Sequence, residues 1–138
     1  MDKLFEQLKE YLHMETEISF EEFSQYYKSL IECLNTTFED MDQDTRLKAR
    51  YACSIVQANA DSRVKREKKN AKAYKKMSAK TAFWMNAINY RLLKDGMTQA
   101  EIDQLQKLLT IAFKLFALHF VAITFPGTSL SARCLCVF

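Results

Sequence analysis

The chain has 138 residues, of which only two are glycine and one is proline, and its formal net charge is +3 at pH 7. Hairpin turns and β-bulges depend on glycine and proline, so this composition argues against a sheet-rich fold. Charged and apolar side chains alternate at the N-terminus. This pattern is typical of neither a secretory signal peptide nor an acid-poor transit peptide, and we therefore expect a cytoplasmic protein. The length suits one core. We expect an all-α, single-domain bundle of four or five helices over residues 1–127, followed by a C-terminal tail at 128–138.

Two helices are predicted in the acidic N-terminal third. Apolar residues at helical spacing predict the first over residues 2–13. Ser19 is a candidate N-cap for the second, with Glu22 as its capping-box partner and Ile18 stapled onto Phe23. The apolar faces comprise Leu4, Phe5, Leu8, Tyr11 and Leu12 in the first helix, and Phe20, Phe23, Tyr27, Leu30, Ile31, Leu34, Phe38 and Met41 in the second.

Residues 43–94 contain neither glycine nor proline. We therefore predict one unusually long helix over about 43–94, either straight or kinked, with Asp42 or Asp44 as its N-cap. The apolar pattern thins between Val64 and Ala71, and a turn near Asp61 and Ser62 or at Ser78 is the alternative.

The last helix is predicted from Thr98 to about Thr124. Gly96 suits a left-handed C-cap of the preceding helix, and Met97 to Ile102 combine a capping box with a hydrophobic staple. In residues 108–125 only Lys114 is formally charged. This segment is interpreted as the central helix of the bundle, supplying most of the core together with the second helix, and the alternatives are a C-terminal membrane anchor and an oligomer seam.

The run Gly96-Met97-Thr98-Gln99-Ala100-Glu101-Ile102 resembles, over seven residues, the opening of the helix-turn-helix of phage-repressor-type DNA-binding proteins. The chain departs from that pattern where the family has a turn glycine, about nine residues after the threonine. Lys107 stands there, followed by Leu108-Leu109. A capping box accounts for the match, and no family is inferred.

The strongest functional signal is a basic stretch at residues 63–80, which holds nine lysines and arginines against the single acid Glu67. Residues 1–45 hold three basic and twelve acidic residues. On a continuous helix the basic side chains would line one face and repel one another, which favours a polyanionic ligand. The candidate nucleic-acid contacts are Arg63, Lys65, Arg66, Lys68, Lys69, Lys72, Lys75, Lys76 and Lys80, with Asn70, Tyr74 and Trp84 as possible hydrogen-bonding or stacking neighbours.

We therefore expect a small non-enzymatic accessory or regulatory protein that binds RNA or DNA largely without reading its sequence. One alternative is a protein-interaction module, in which the acidic helices cover the basic face internally or the face meets an acidic partner or another copy of the chain. A third is a protein anchored in a membrane by residues 108–125, and we expect a membrane partner less than the other two.

No catalytic group, metal or cofactor is expected. The sequence offers no nucleophile paired with a base, no cleft carboxylates and no phosphate-holding glycines. Glu10 and His13 have the spacing of half a di-iron carboxylate site without the second half. The four cysteines are expected to be free thiols, and the pair Cys134 and Cys136 has no histidine close to it in sequence.

Overall fold

A computed structural model describes the backbone of residues 1–124 and the side chains of residues 1–115. This part of the chain contains no strand, and the predicted all-α bundle is confirmed with five α-helices. The predicted domain limit at 127 and the tail at 128–138 lie outside the described residues. The helices are α1 (Asp2–His13), α2 (Phe20–Thr37), α3 (Gln43–Arg66), α4 (Ala71–Lys94) and α5 (Gln99–Thr124), with short 3-10 helices at Phe38–Asp40 and Lys68–Asn70.

Side-chain caps begin α2 and α3 as the sequence predicts. The Ser19 Oγ accepts a hydrogen bond from the Glu22 N–H at 3.1 Å. Asp42, rather than the alternative Asp44, caps α3 through an Oδ1 that accepts from the Thr45 N–H at 2.8 Å. Each cap satisfies one of the N–H groups that have no partner within their own helix.

The link between α4 and α5 also follows the prediction. Gly96 has a φ of +101°, in the left-handed region. The N–H of Met97 donates to the carbonyl of Leu92 at 3.1 Å, which completes a Schellman motif. Thr98 and Glu101 then form a reciprocal capping box, since each side chain accepts a hydrogen bond from the other's backbone N–H, at 3.2 and 2.7 Å.

The prediction of one long helix over 43–94 is wrong. Helix α3 ends at Arg66, the 3-10 helix Lys68–Asn70 follows, and α4 begins at Ala71. Neither alternative turn position, Asp61-Ser62 or Ser78, is the place of the break. A continuous helix would hold its two halves apart, whereas the reversal lets the apolar faces of α3 and α4 bury one another.

A buried arginine at each end fixes α3 and α4 as an antiparallel hairpin. At the open end, Arg46 Nη1 lies 2.7 Å from Asp95 Oδ2, which follows α4. At the turn, Arg63 Nη1 donates to the Tyr74 hydroxyl at 3.2 Å. Both arginines are almost fully buried, at 5% and 1% exposure.

Among the side chains that the structure describes, the core is centred on α3, whereas the sequence predicted α2 and α5 as its main contributors. Helix α3 buries ten side chains and packs against α1, α4 and α5. On α5, Ile102 and Phe113 are buried, and the Phe113 ring lies 5.0 Å from that of Tyr51. The outer face of α5 is apolar but exposed at Leu105, Leu108, Ile111 and Leu115. The hairpin fills the centre of the bundle, so residues 99–115 of α5 lie at its periphery. Within residues 1–124, no helix combines the length and apolarity needed to cross a bilayer.

The structure buries one tyrosine of α2 that the sequence pattern left out of the apolar face. Tyr26 is buried, and its hydroxyl donates to the carbonyl of Leu4 at 3.0 Å. Tyr27, which the sequence pattern included, is half-buried, as are Phe20, Ile31 and Phe38, and all four pack against the core. The side-chain hydroxyl of Tyr26 has a backbone acceptor inside the bundle, which makes its burial favourable.

Candidate nucleic-acid interface

The hairpin turn gathers the nine basic residues at one end of the bundle. They occupy three consecutive elements, so they surround a reversal of the chain and do not follow a single rod. Arg63, Lys65 and Arg66 belong to the end of α3, Lys68 and Lys69 to the 3-10 helix, and Lys72, Lys75, Lys76 and Lys80 to the first half of α4.

Arg63 lies inside the protein. Its Nη2 donates to the carbonyl of Ile18 at 2.9 Å, and its Nη1 donates to the Tyr74 hydroxyl. Its Nε lies 3.0 Å from Glu17 Oε1, an ion pair without hydrogen-bond alignment. The guanidinium also stacks over the Phe23 ring, 4.7 Å from its centroid. Arg63 was predicted as a nucleic-acid contact, and its burial makes that prediction wrong.

Arg66 is half-exposed and paired. Its Nη1 and Nη2 donate to the two carboxylate oxygens of Glu17 at 3.0 and 2.7 Å, in the bidentate geometry that guanidinium and carboxylate favour. These hydrogen bonds, together with the positive charge of Arg63, lower the pKa of Glu17 below its usual value. One carboxylate in the link between α1 and α2 therefore contacts both arginines, and the N-terminal third neutralises this part of the basic stretch.

Glu67, the one acid of the stretch, faces the interior of the turn. It accepts a hydrogen bond from the Tyr74 hydroxyl at 2.9 Å, and its other carboxylate oxygen lies 3.9 Å from Arg63 Nη1. Desolvation of the buried Tyr74 side chain raises the pKa of its hydroxyl, which therefore stays protonated as a donor. The network Arg63, Tyr74 and Glu67 ties the end of α3 to the start of α4.

The remaining seven basic residues are exposed lysines, which we call the basic surface. None of them has an ion pair or a side-chain hydrogen bond with any residue in the described part of the chain. One other contact is present: Lys80 Nζ lies 5.0 Å from the centroid of the Phe83 ring. The basic surface consists of Lys65, Lys68, Lys69, Lys72, Lys75, Lys76 and Lys80.

Two aromatic side chains on the exposed face of α4 were missed by the sequence analysis. Phe83 and Tyr90 are 58% and 69% exposed. The aromatic neighbours that the sequence did suggest, Tyr74 and Trp84, are buried in the core. The signal was present, because Phe83 and Tyr90 fall outside the repeat of buried positions along α4, which are Tyr74, Met77, Thr81, Trp84, Ile88 and Leu92.

Comparison of the chain with protein-family models, with curated proteins and with solved structures returns no match. Within the described residues, no three histidine, cysteine, aspartate or glutamate side chains are grouped to hold a metal ion. The resemblance of residues 96–102 to a helix-turn-helix opening ends in an unbroken α5, which has no turn where that motif needs one. Cys134 and Cys136 lie outside the described residues.

Proposed function

We propose that this protein is a non-enzymatic nucleic-acid-binding protein whose basic surface contacts the phosphate backbone. The observation that carries the proposal is the division within the basic stretch. Arg63 and Arg66 are paired with Glu17, whereas all seven lysines of the basic surface project into solvent without a carboxylate partner in the described chain. Internal neutralisation therefore accounts for the arginines and leaves the lysines for an external partner.

The physical argument is electrostatic. Like charges four residues apart on a helix destabilise it by about 0.2–0.5 kcal/mol per pair, and Lys72, Lys76 and Lys80 form two such pairs. A phosphate backbone removes this repulsion, and it also gains free energy from the counterions that it releases. Lysine is a point charge without arginine's fork, so the basic surface favours backbone contact over the reading of base edges.

The experiment measures the salt dependence of binding. A fluorescently labelled oligonucleotide of about 20 nucleotides, which exceeds the roughly 4–16 nucleotides that one compact domain occupies, is titrated by anisotropy at several salt concentrations. The test variant is K69Q/K72Q/K76Q. Each lost phosphate contact should reduce the slope of log K against log salt by about 0.7–0.9, so the triple variant should lose roughly 2–3.

A matched control distinguishes the effect of where the lysines lie from the effect of the protein's net charge. The variant K3Q/K28Q/K107Q also removes three exposed lysines, but from α1, α2 and α5. It should keep most of the wild-type slope. Equal losses in the two triple variants, or an affinity that does not change with salt, would overturn the proposal.

A second candidate function is self-association, which the exposed apolar face of α5 favours. Leu105, Leu108 and Leu115 are 36–59% exposed on one side of that helix. Contiguous apolar surface of this kind marks protein contacts. Sedimentation equilibrium of the full chain and of the variant L108D tests it: a wild-type oligomer that L108D dissociates supports self-association, and a wild-type monomer removes it.

A further inference from the structure

We infer that the nucleic acid bound by the basic surface is single-stranded, and that Phe83 and Tyr90 stack on its bases. The inference rests on the proposed function and adds the class of ligand. The juxtaposition that carries it is a continuous exposed face of α4, on which lysines are followed by two solvent-facing aromatic rings.

The positions on α4 place these side chains in one line. Three of the α4 lysines and the two aromatic residues fall within an arc of about 80° around the helix, at 3.6 residues per turn. At 1.5 Å per residue, these five positions extend over about 27 Å of the helix axis. Phe83 and Tyr90 are two turns apart, separated by about 10 Å along the axis. The aligned residues are Lys72, Lys76, Lys80, Phe83 and Tyr90.

The exposure of the two rings is unusual for a helix that has an apolar face to bury. The opposite side of α4 holds Trp84, Ile88 and Leu92 in the core. The Phe83 ring touches this core through an edge-to-face contact with Trp84, with ring centroids 5.7 Å apart. Full burial of such a ring contributes about 1.5–3 kcal/mol, and rings that are 58% and 69% exposed forgo more than half of it. A flat ligand that covers the rings would recover part of it.

Unpaired bases are such a ligand. Their faces are free to stack on aromatic side chains, which contributes about 1–3 kcal/mol per base without dependence on sequence. In a duplex the same faces are covered by neighbouring base pairs. Lys80 Nζ lies over the Phe83 ring, 5.0 Å from its centroid, so a phosphate-binding charge and a stacking platform are in contact, as a single strand requires of adjacent phosphate and base.

The experiment compares three probes on the full-length chain at fixed salt. They are a labelled oligo-dT of about 20 nucleotides, a duplex of the same length, and heparin, which is a polyanion without bases. The test variant is F83A/Y90A, and the control is M14A/L93A, which truncates two exposed apolar side chains that belong to neither proposed surface, one just after α1 and one near the end of α4. All four positions are exposed, so circular dichroism should show that both variants fold.

We expect wild type to bind oligo-dT more tightly than the duplex. F83A/Y90A should weaken oligo-dT binding by about tenfold or more, since 1.4 kcal/mol corresponds to a factor of ten. The same variant should leave duplex and heparin binding unchanged, and M14A/L93A should leave the binding of all three probes unchanged.

The outcomes separate this inference from the proposed function. If all three probes bind but F83A/Y90A has no effect on oligo-dT, or weakens heparin binding equally, the stacking inference is overturned and the basic surface remains a phosphate-binding site. If wild type binds none of the probes, the proposed function fails and the inference fails with it.

Discussion

Substitution of Arg63 by alanine tests the packing of the hairpin turn. The wild-type guanidinium joins three parts of the chain, because it contacts Glu17 and Ile18 in the link between α1 and α2 as well as Tyr74 on α4. In R63A the carbonyl of Ile18 loses this donor. Glu17 keeps its bidentate pair with Arg66.

The magnitude follows from these contacts. A hydrogen bond to a charged group contributes about 1.5–3 kcal/mol, and R63A removes two of them. The low end of that range applies, since Arg66 still neutralises Glu17 and Tyr74 still has Glu67 as a hydrogen-bond partner. We therefore expect a loss of about 3 kcal/mol in the free energy of unfolding, which lowers the melting temperature of a domain of this size by about 10 °C.

Urea unfolding followed by far-UV circular dichroism and by the fluorescence of Trp84 measures the loss. The control is K65A, which truncates an exposed side chain two residues away on the same helix and should change stability by no more than about 0.5 kcal/mol. A loss below about 1 kcal/mol in R63A, or losses of similar size in the two variants, would refute the reasoning that Arg63 is a structural residue and not a surface one.

Three further measurements follow from the structure. Pairing with Arg66 lowers the pKa of Glu17 in the folded protein. The stability that this pair contributes is therefore present above about pH 4.5, the usual pKa, and is lost as the pH falls through the lower pKa of the folded state. An acid titration of the free energy of unfolding in E17Q should lack this component. Alanine at Gly96 finds open space for its Cβ but must adopt a φ of +101°, so urea unfolding of G96A should show a loss of about 1 kcal/mol. Burial raises the pKa of the Cys53 thiol to about 12, so peptide mapping after brief alkylation of the folded protein at pH 8 should find Cys33 modified before Cys53, and equal rates would contradict the burial of Cys53.

Helix beginnings could be predicted from the sequence because the groups that form them are close neighbours in the chain. Ser19 with Glu22, and Thr98 with Glu101, are each three residues apart, so both the donor and the acceptor are visible in one short segment. The reversal between α3 and α4 depends on contacts across long sequence separations, such as Arg63 with Ile18, and no glycine or proline marks its position in the sequence. The same absence made one long helix the natural prediction.

The candidate site divides in a similar way. The density of positive charge is a property of composition, and it predicted the lysines of the basic surface. Composition counts Arg63 and Lys65 alike as positive charges. One is buried and the other exposed because they lie on different sides of α3, and the buried side is decided by where α4 returns. The exposure of Phe83 and Tyr90 could not be predicted for the same reason, since it depends on which face α4 packs against α3.

The way in which the turn is stabilised has a consequence for how this protein can change over evolutionary time. The hairpin is held by Arg63, Tyr74 and Glu67, while the tip between them, Lys68–Asn70, has no backbone conformation that only glycine can adopt. Under the proposed function, the charges at the tip can therefore change without removing a contact that holds the hairpin. The residues that we propose for ligand contact and the residues that hold the turn are therefore different members of one short segment.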